Sequence, residues 1–279
     1  MVMLKEIAMR WLCCISVLSL FFSSYVFANT IQWVPIHLGA EMATIPVEAS
    51  DKPLIIVRFI PKYFTFSLLS SKLEQNTAMP ITEWSEKYNF IAAINASMFA
   101  EDTATSVSFL KSNKKVNNAE FSKVFGAVFL SNPTHRSLPS VTIIEQSDME
   151  EEEVKKLVKQ YSDVVQNYRM INSKGEVVWK SYSTTPSTMS AVGIDAQKRI
   201  LFIHSQALLT QNMLATMLTK LPLDIRTTMY TEGGKEAILA LSTNKVKQIW
   251  LGQSRNPFTP NMNNVPVPNL IIVSPKKRR

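Results

Sequence analysis

Short apolar, β-branched runs separated by turn residues recur from Leu54 to Val273, and this rhythm confines the chain to a sheet-rich fold. Residues 54–60 form one run and 64–69 the next, with Pro61 between them. Residues 90–94 read as a buried strand that ends at Asn95. Further strands are expected over 126–130, 141–145, 225–230 and 270–273. Three pairs of runs read as hairpins with turn chemistry between their arms: 168–171 with 177–179, 191–194 with 200–203, and 236–241 with 246–251. Helices are expected over 82–88, over 148–161, and after Thr210, a capping residue. The last of these carries Met213, Leu214, Met217, Leu218 and Leu221 at helical spacing and is stopped by Pro222. In the stretch 148–161, Asp148, Glu150, Glu151, Glu152 and Glu153 crowd the first turns, where the helix dipole favours anions, so they read as a solvated helix start rather than as metal ligands. No linker or internal repeat divides the chain. Many strands with few helices give an α+β fold: a mixed, curved β-sheet core with a few flanking helices in a single domain.

The first 28 residues stand apart. Lys5 and Arg10 precede the apolar run 11–22, and Val26-Phe27-Ala28 suits signal peptidase, so cleavage is expected after Ala28, leaving a domain over 29–279. That run is short for a membrane span, and no stable span is expected after cleavage. Both cysteines, Cys13 and Cys14, lie in this segment, without the small residue that precedes a lipoprotein cysteine. The remaining 251 of 279 residues hold no cysteine, which excludes thiol catalysis and zinc–thiolate sites. A chain of that length buries an adequate core without disulfides. These features point to a periplasmic or secreted protein of a bacterial envelope. The net charge is +8, or +7 once Lys5, Glu6 and Arg10 are removed, and the pI is about 9.4. A basic balance is compatible with nucleic acid. In an exported chain it points instead to an anionic envelope component such as a phosphorylated glycan, and no nucleic-acid partner is expected. The tail Lys276-Lys277-Arg278-Arg279 reads as a solvated basic end.

Of only 7 glycines, two adjoin in Met229-Tyr230-Thr231-Glu232-Gly233-Gly234-Lys235-Glu236-Ala237. A glycine pair permits positive φ and lets a ligand approach the backbone. Glu232 would then be fixed beside exposed N–H groups, either for acid–base chemistry near an anion or as part of a turn whose glycines only solve a backbone problem. His37 and His135 show no ligand spacing, and no Ser/His/Asp triad, phosphate loop or dinucleotide fingerprint occurs. Neither a metal nor a cofactor is expected.

Four segments, in order, resemble the phosphodiester glycosidase family, which includes the lysosomal uncovering enzyme that removes N-acetylglucosamine from a phosphodiester and many bacterial exopolysaccharide-associated proteins. Asn95-Ala96-Ser97-Met98-Phe99 resembles its Asn-Gly/Ala-Gly-Met/Phe-Phe element. Gln166-Asn167-Tyr168-Arg169-Met170-Ile171 is similar to its Gln-(Ser)-Gly-Pro-Met-Leu element. Met189-Ser190-Ala191-Val192-Gly193 resembles Arg-Thr/Asn-Ala/Gly-Val-Gly, and Thr231-Glu232-Gly233-Gly234-Lys235-Glu236 resembles Leu-Asp-Gly-Gly-(Gly)-Ser. The resemblance spans residues 54–241. The family aspartate is Glu232 here, its arginine is Met189, its proline is Arg169, and its glycines are Ala96 and Ser97, so the chain looks like a divergent branch marked by Glu-Gly-Gly.

The resemblance implies an envelope hydrolase that cleaves a glycosyl phosphodiester, or a phosphorylated glycan, at the sugar-1-phosphate linkage. Such cleavage builds positive charge on the ring and negative charge on the departing phosphate, which a carboxylate and a guanidinium can stabilise. Glu232 is the candidate catalytic carboxylate. Asn95 and Arg169 are the candidates for holding phosphate or sugar. A charge in the apolar strand at Arg169 calls either for an anion or for a buried ion pair, with Glu232 as one possible partner. Ser190 is placed to donate to the same anion, Gly233 and Gly234 to floor the pocket, and His204 to lie near it unless it is purely structural. Asp195 reads as a turn residue. The alternative is a catalytically inactive phosphoglycan-binding or scaffold module, which Met189 and Ala96-Ser97 would suit.

Overall fold

The computed structural model describes residues 30–48, 50–75, 77–179, 185–253 and 265–276. The expected leader with its cleavage point, and the last three residues of the basic tail, lie outside them. The chain divides into two compact units, Met1–Thr30 and Ile31–Arg279. Among the described residues no helix is long and apolar enough to cross a membrane.

The second unit is an α+β domain of three sheets and a short two-stranded ladder. The first sheet has seven strands in the order β1 (Val34–His37), β2 (Ala40–Ile45), β3 (Leu54–Phe59), β14 (Ile200–Leu209), β13 (Ser187–Asp195), β15 (Ile225–Gly233) and β12 (Arg169–Ile171). The second has five: β10 (Val141–Glu145), β9 (Ala127–Pro133), β11 (Tyr161–Asn167), β7 (Leu110–Ser112) and β8 (Lys115–Asn118). The third also has five: β17 (Lys247–Leu251), β16 (Ile238–Ser242), β6 (Ala92–Asn95), β19 (Asn269–Pro275) and β4 (Phe64–Ser70). The ladder joins β5 (Met79–Pro80) to β18 (Pro266–Val267). The pairings between these strands are antiparallel. The expected α+β core with a few flanking helices is thus built of three antiparallel sheets.

One core lies where the sheets face each other. Val192, Phe202 and Met229 of the first sheet meet Phe129 and Val165 of the second and Ile94, Leu239 and Ile271 of the third. Alternate residues of β13 point the other way, where Met189 and Ala191 pack against Leu214, Ala215 and Leu218 of α3 (Gln211–Lys220). Thr210 caps α3 as expected, its Oγ1 accepting from the Met213 N–H at 3.2 Å. α1 (Ile81–Lys87) buries Ile81 and Trp84 against the third sheet. α2 (Glu151–Lys159) buries Val154 and Val158 against the second.

Several elements differ from expectation: β1, β2, β7 and β8 have no counterpart among the predicted strands, 177–179 meets β12 only through the Ile171–Val177 bridge, and two further differences are instructive. The helix predicted over 148–161 is shorter: Gln146–Asp148 form a 3-10 turn, and α2 ends at Lys159. Tyr161 then opens β11, a strand that the polar residues Asp163, Gln166 and Asn167 disguise. Asp163 and Gln166 are buried but satisfied, whereas Asn167 is half so: its Nδ2 donates to the Ala96 carbonyl at 3.0 Å and its Oδ1 has no partner among the described residues. Asp163 accepts from Asn113 N at 2.6 Å and from Asn132, and Gln166 Nε2 donates to the carbonyls of Ser122 and Phe125 at 2.6 and 2.8 Å. The second difference is that β15 does not stop at Tyr230 but continues through Gly233.

Candidate functional site

The longer β15 changes the character of the Glu-Gly-Gly segment. Glu232 belongs to β15, one strand in from the sheet edge, and only Gly234–Glu236 form the tight turn that follows, with Gly234 at φ +70°. Across the sheet Glu232 lies opposite Ser190, Ser190 opposite His204, and His204 opposite Ile55. Directly opposed side chains share a face of the sheet. Glu232, Ser190 and His204 thus form one row, on the side that approaches β6 and β16. Thr231 is an extra residue in this register, because Tyr230 opposes Ala191 while Glu232 opposes Ser190, as in a β-bulge.

Hydrogen bonds tie this row to the third sheet. Ser190 Oγ donates to the carbonyl of Ile238 at 3.0 Å and lies 3.1 Å from His204 Nδ1, which leaves the ring as the donor in that contact. His204 is fully buried, which lowers its pKa to about 3 and keeps it neutral. Asn95 Oδ1 accepts from Ile238 N at 2.7 Å, and its Nδ2 donates to the Glu236 carbonyl at 2.9 Å. The predicted ligand amide is therefore a clamp on the turn after the glycines. Thr188 Oγ1 donates to the Gly234 carbonyl at 2.8 Å and accepts from Gln253 N at 3.1 Å. Gly252 N donates to the Ala237 carbonyl at 2.6 Å. A Cβ on Gly252 would stand 1.9 Å from the Gly234 carbonyl oxygen, so only glycine lets the two backbones approach this closely.

Glu232 is 8 % exposed and accepts from Gly233 N at 2.9 Å. Burial pushes its pKa up to about 8; the Gly233 N–H opposes that rise and the nearby Glu236 carboxylate adds to it. The one lysine of this turn, Lys235, has its Nζ 3.7 Å from Glu236 Oε1 and is exposed. Gly233 has ordinary extended backbone, but a Cβ there would meet the Tyr230 hydroxyl oxygen at 2.2 Å. From Tyr230 a row of rings leads outward, with centroids 5.4 Å apart to Trp179, 5.0 Å on to Tyr168 and 4.2 Å on to Phe125.

Arg169, on β12 beside β15, is engaged with other partners. Its NH1 donates to Glu145 Oε2 at 3.1 Å and to Ser147 Oγ at 2.6 Å. Glu145 is 4 % exposed, and its other oxygen accepts from Ser173 N at 2.7 Å. Of the two readings of Arg169, an anion site or a buried ion pair, an ion pair is present, and its partner is Glu145. The described residues bring Asn95, Ser190, His204, Glu232, Gly233 and Gly234 together, while the Arg169 guanidinium is taken up by Glu145 and Ser147. They contain no cluster of three or more His, Cys, Asp or Glu side chains suited to a metal ion. Sequence reasoning missed Thr188, Tyr230 and Gly252. Tyr230 and Gly252 left a trace, the first beside the Glu-Gly-Gly run and the second as one of the 7 glycines, directly after a predicted strand.

A family profile described as phosphodiester glycosidase matches residues 88–274. Among solved structures the chain is similar to the zebrafish N-acetylglucosamine-1-phosphodiester alpha-N-acetylglucosaminidase catalytic domain auto-inhibited by its pro-peptide, with a TM-score of 0.61 at 11% identity over 88% of this chain and 87% of that one. It is equally similar to a hypothetical protein from Synechocystis, with a TM-score of 0.61 at 12% identity over 88% of this chain and 63% of that one. At such identities the likeness is one of fold. No curated protein matches the sequence.

Proposed function

The chain belongs to the phosphodiester glycosidase family, and from that premise we propose that it hydrolyses a glycosyl phosphodiester, or a phosphorylated glycan, in the bacterial envelope after export and cleavage behind Ala28. The observation that carries this reading is Glu232: a carboxyl nine-tenths buried, held on a rigid strand beside bare glycine backbone, with no cation paired to it among the described residues. Ionised, it accepts a proton from water as the water oxygen bonds to the anomeric carbon. The carbon–oxygen bond to phosphate breaks, and its electron pair leaves with the phosphate, which needs no proton of its own. Lys235, on the same turn, takes the part of phosphate partner first assigned to Arg169. Asn95 and Thr188 act as positioning residues through the backbone they hold. Ser190 and His204 fix the strand behind Glu232, and Tyr230 with Trp179 offers apolar ring surface to the sugar.

The test is sugar release from a model sugar-1-phosphodiester by purified mature protein. Glu232→Gln should lower turnover about 10³-fold, the middle of the range for a positioned acid–base group, without lowering the melting temperature. Undiminished turnover in that variant would remove Glu232 from the mechanism. The second reading is a module that binds phosphoglycans without turnover. It is favoured by Met189, fully buried and apolar directly opposite Gly233. Saturable binding with no product by the wild type would select it.

A further inference from the structure

A cavity of about 450 Å³ lies at the other end of the first sheet. Asp195 ends β13 five residues beyond Ser190, so the two places are separated by about 17 Å of strand. Two guanidinium groups line the cavity, and each is held by a carboxylate. Arg58 donates through Nε and NH2 to Glu41 Oε2 at 2.7 and 2.6 Å, and its guanidinium lies 3.8 Å from the centre of the Trp33 ring. Arg199 donates through Nε to Asp195 Oδ2 at 2.5 Å and through NH2 to Gln197 Oε1 at 3.0 Å. A guanidinium carries five N–H donors, so these contacts orient each fork without exhausting it.

Lys245, from the turn between β16 and β17, reaches the same cavity and donates to the Pro35 carbonyl at 3.1 Å. The floor is the Tyr63 ring on the bare backbone of Gly39 (φ +79°), where a Cβ would lie 2.2 Å from the ring. One more cation stands at that ring, Lys62, whose Nζ is 4.7 Å from its centre, and the Lys276 Nζ donates to the nearby Pro61 carbonyl at 3.0 Å. The two acids at the cavity, Glu41 and Asp195, are already engaged with the arginines.

We propose that this cavity binds the phosphate groups of a phosphorylated glycan, at a point remote from Glu232. Capture of phosphate follows from the cations themselves: fixed guanidinium forks match tetrahedral oxyanions, and several spaced cations suit a polymer better than a single ion. The choice of a glycan rests on the function proposed above. A remote anchor of this kind retains a polymer at the enzyme while Glu232 acts elsewhere along it.

The probes are phosphorylated dextran, neutral dextran of the same length and a single-stranded oligonucleotide, titrated calorimetrically into the full mature chain. Phosphorylated dextran should bind, with an affinity that falls as salt is raised, and neutral dextran should not. The double variant R58Q/R199Q should weaken that binding at least tenfold while a small monomeric sugar-1-phosphodiester is turned over at the wild-type rate. Asp195 loses its partner in that protein, so Lys245→Gln, at an exposed position, serves as the second variant and should weaken binding about threefold by loss of one surface charge. Equal binding by wild type and Lys245→Gln, equal binding of the two dextrans, or tighter binding of the oligonucleotide would each overturn the proposal. Loss of small-substrate turnover in a folded variant would place the arginines in the catalytic site and also overturn it. A wild type inactive on the small substrate strikes the hydrolase reading alone, since the dextran titration stands without it.

Discussion

Two buried glutamates, Glu145 and Glu232, sit in neighbouring parts of the molecule and have opposite surroundings. Burial raises the pKa of both. Glu145 is then compensated by Arg169 and the Ser173 N–H. Glu232 has the Gly233 N–H alone, and Glu236 makes its ionisation harder. The first arrangement spends its charge on holding β10, β12 and the turn after them together. The second keeps a carboxyl chemically uncommitted, which is what a reacting group requires and a structural one avoids.

The contrast can be broken most severely at Glu145. Glu145→Ala leaves the half-buried Arg169 without its partner and should destabilise the fold by about 3 kcal/mol, with turnover per folded molecule retained. Equal stability of the two proteins in urea would show that the pair contributes nothing. Next in size is Gly252→Ala, which forces the backbone away from Gly234 and so disturbs Glu232 from outside. A loss of about 2 kcal/mol is expected from overpacking, together with reduced kcat.

The smallest effect sharpens the comparison through pH. Glu232 binds its proton more tightly folded than unfolded, so wild-type stability falls as pH rises from about 4.5 to about 8. Glu232→Gln should lack that decline and melt higher than wild type above pH 8, while kcat/KM of the wild type rises through an apparent pKa near 8. Parallel melting curves for the two proteins across that window would contradict the assignment. His204 has the opposite linkage. Its folded pKa of about 3 lies below the unfolded value of 6.5, so stability is lost as pH falls through that interval.

The same contrast explains what the sequence could reveal. Apolar runs such as 54–60 and 64–69 marked β3 and β4 because their burial is a property of the side chains themselves. β11 was hidden because its burial depends on partners between 31 and 71 residues away, among them Asn132, Asn113, Ser122, Phe125 and Ala96. The Glu-Gly-Gly segment was legible since paired glycines are scarce in this chain. The role of Asn95 was not, for the backbone N–H it receives comes from Ile238, 143 residues later. Arg169 signalled a buried charge correctly, but nothing in its neighbourhood along the chain could name Glu145 as the recipient.

The row from Ile55 through His204 and Ser190 to Glu232 crosses interior strands of the widest sheet. Amide protons in such a place exchange last, because releasing them requires the whole ladder to open. Chemistry hung there survives local fraying of the surface and disappears only when the domain itself melts, so inactivation by heat and global unfolding become a single event.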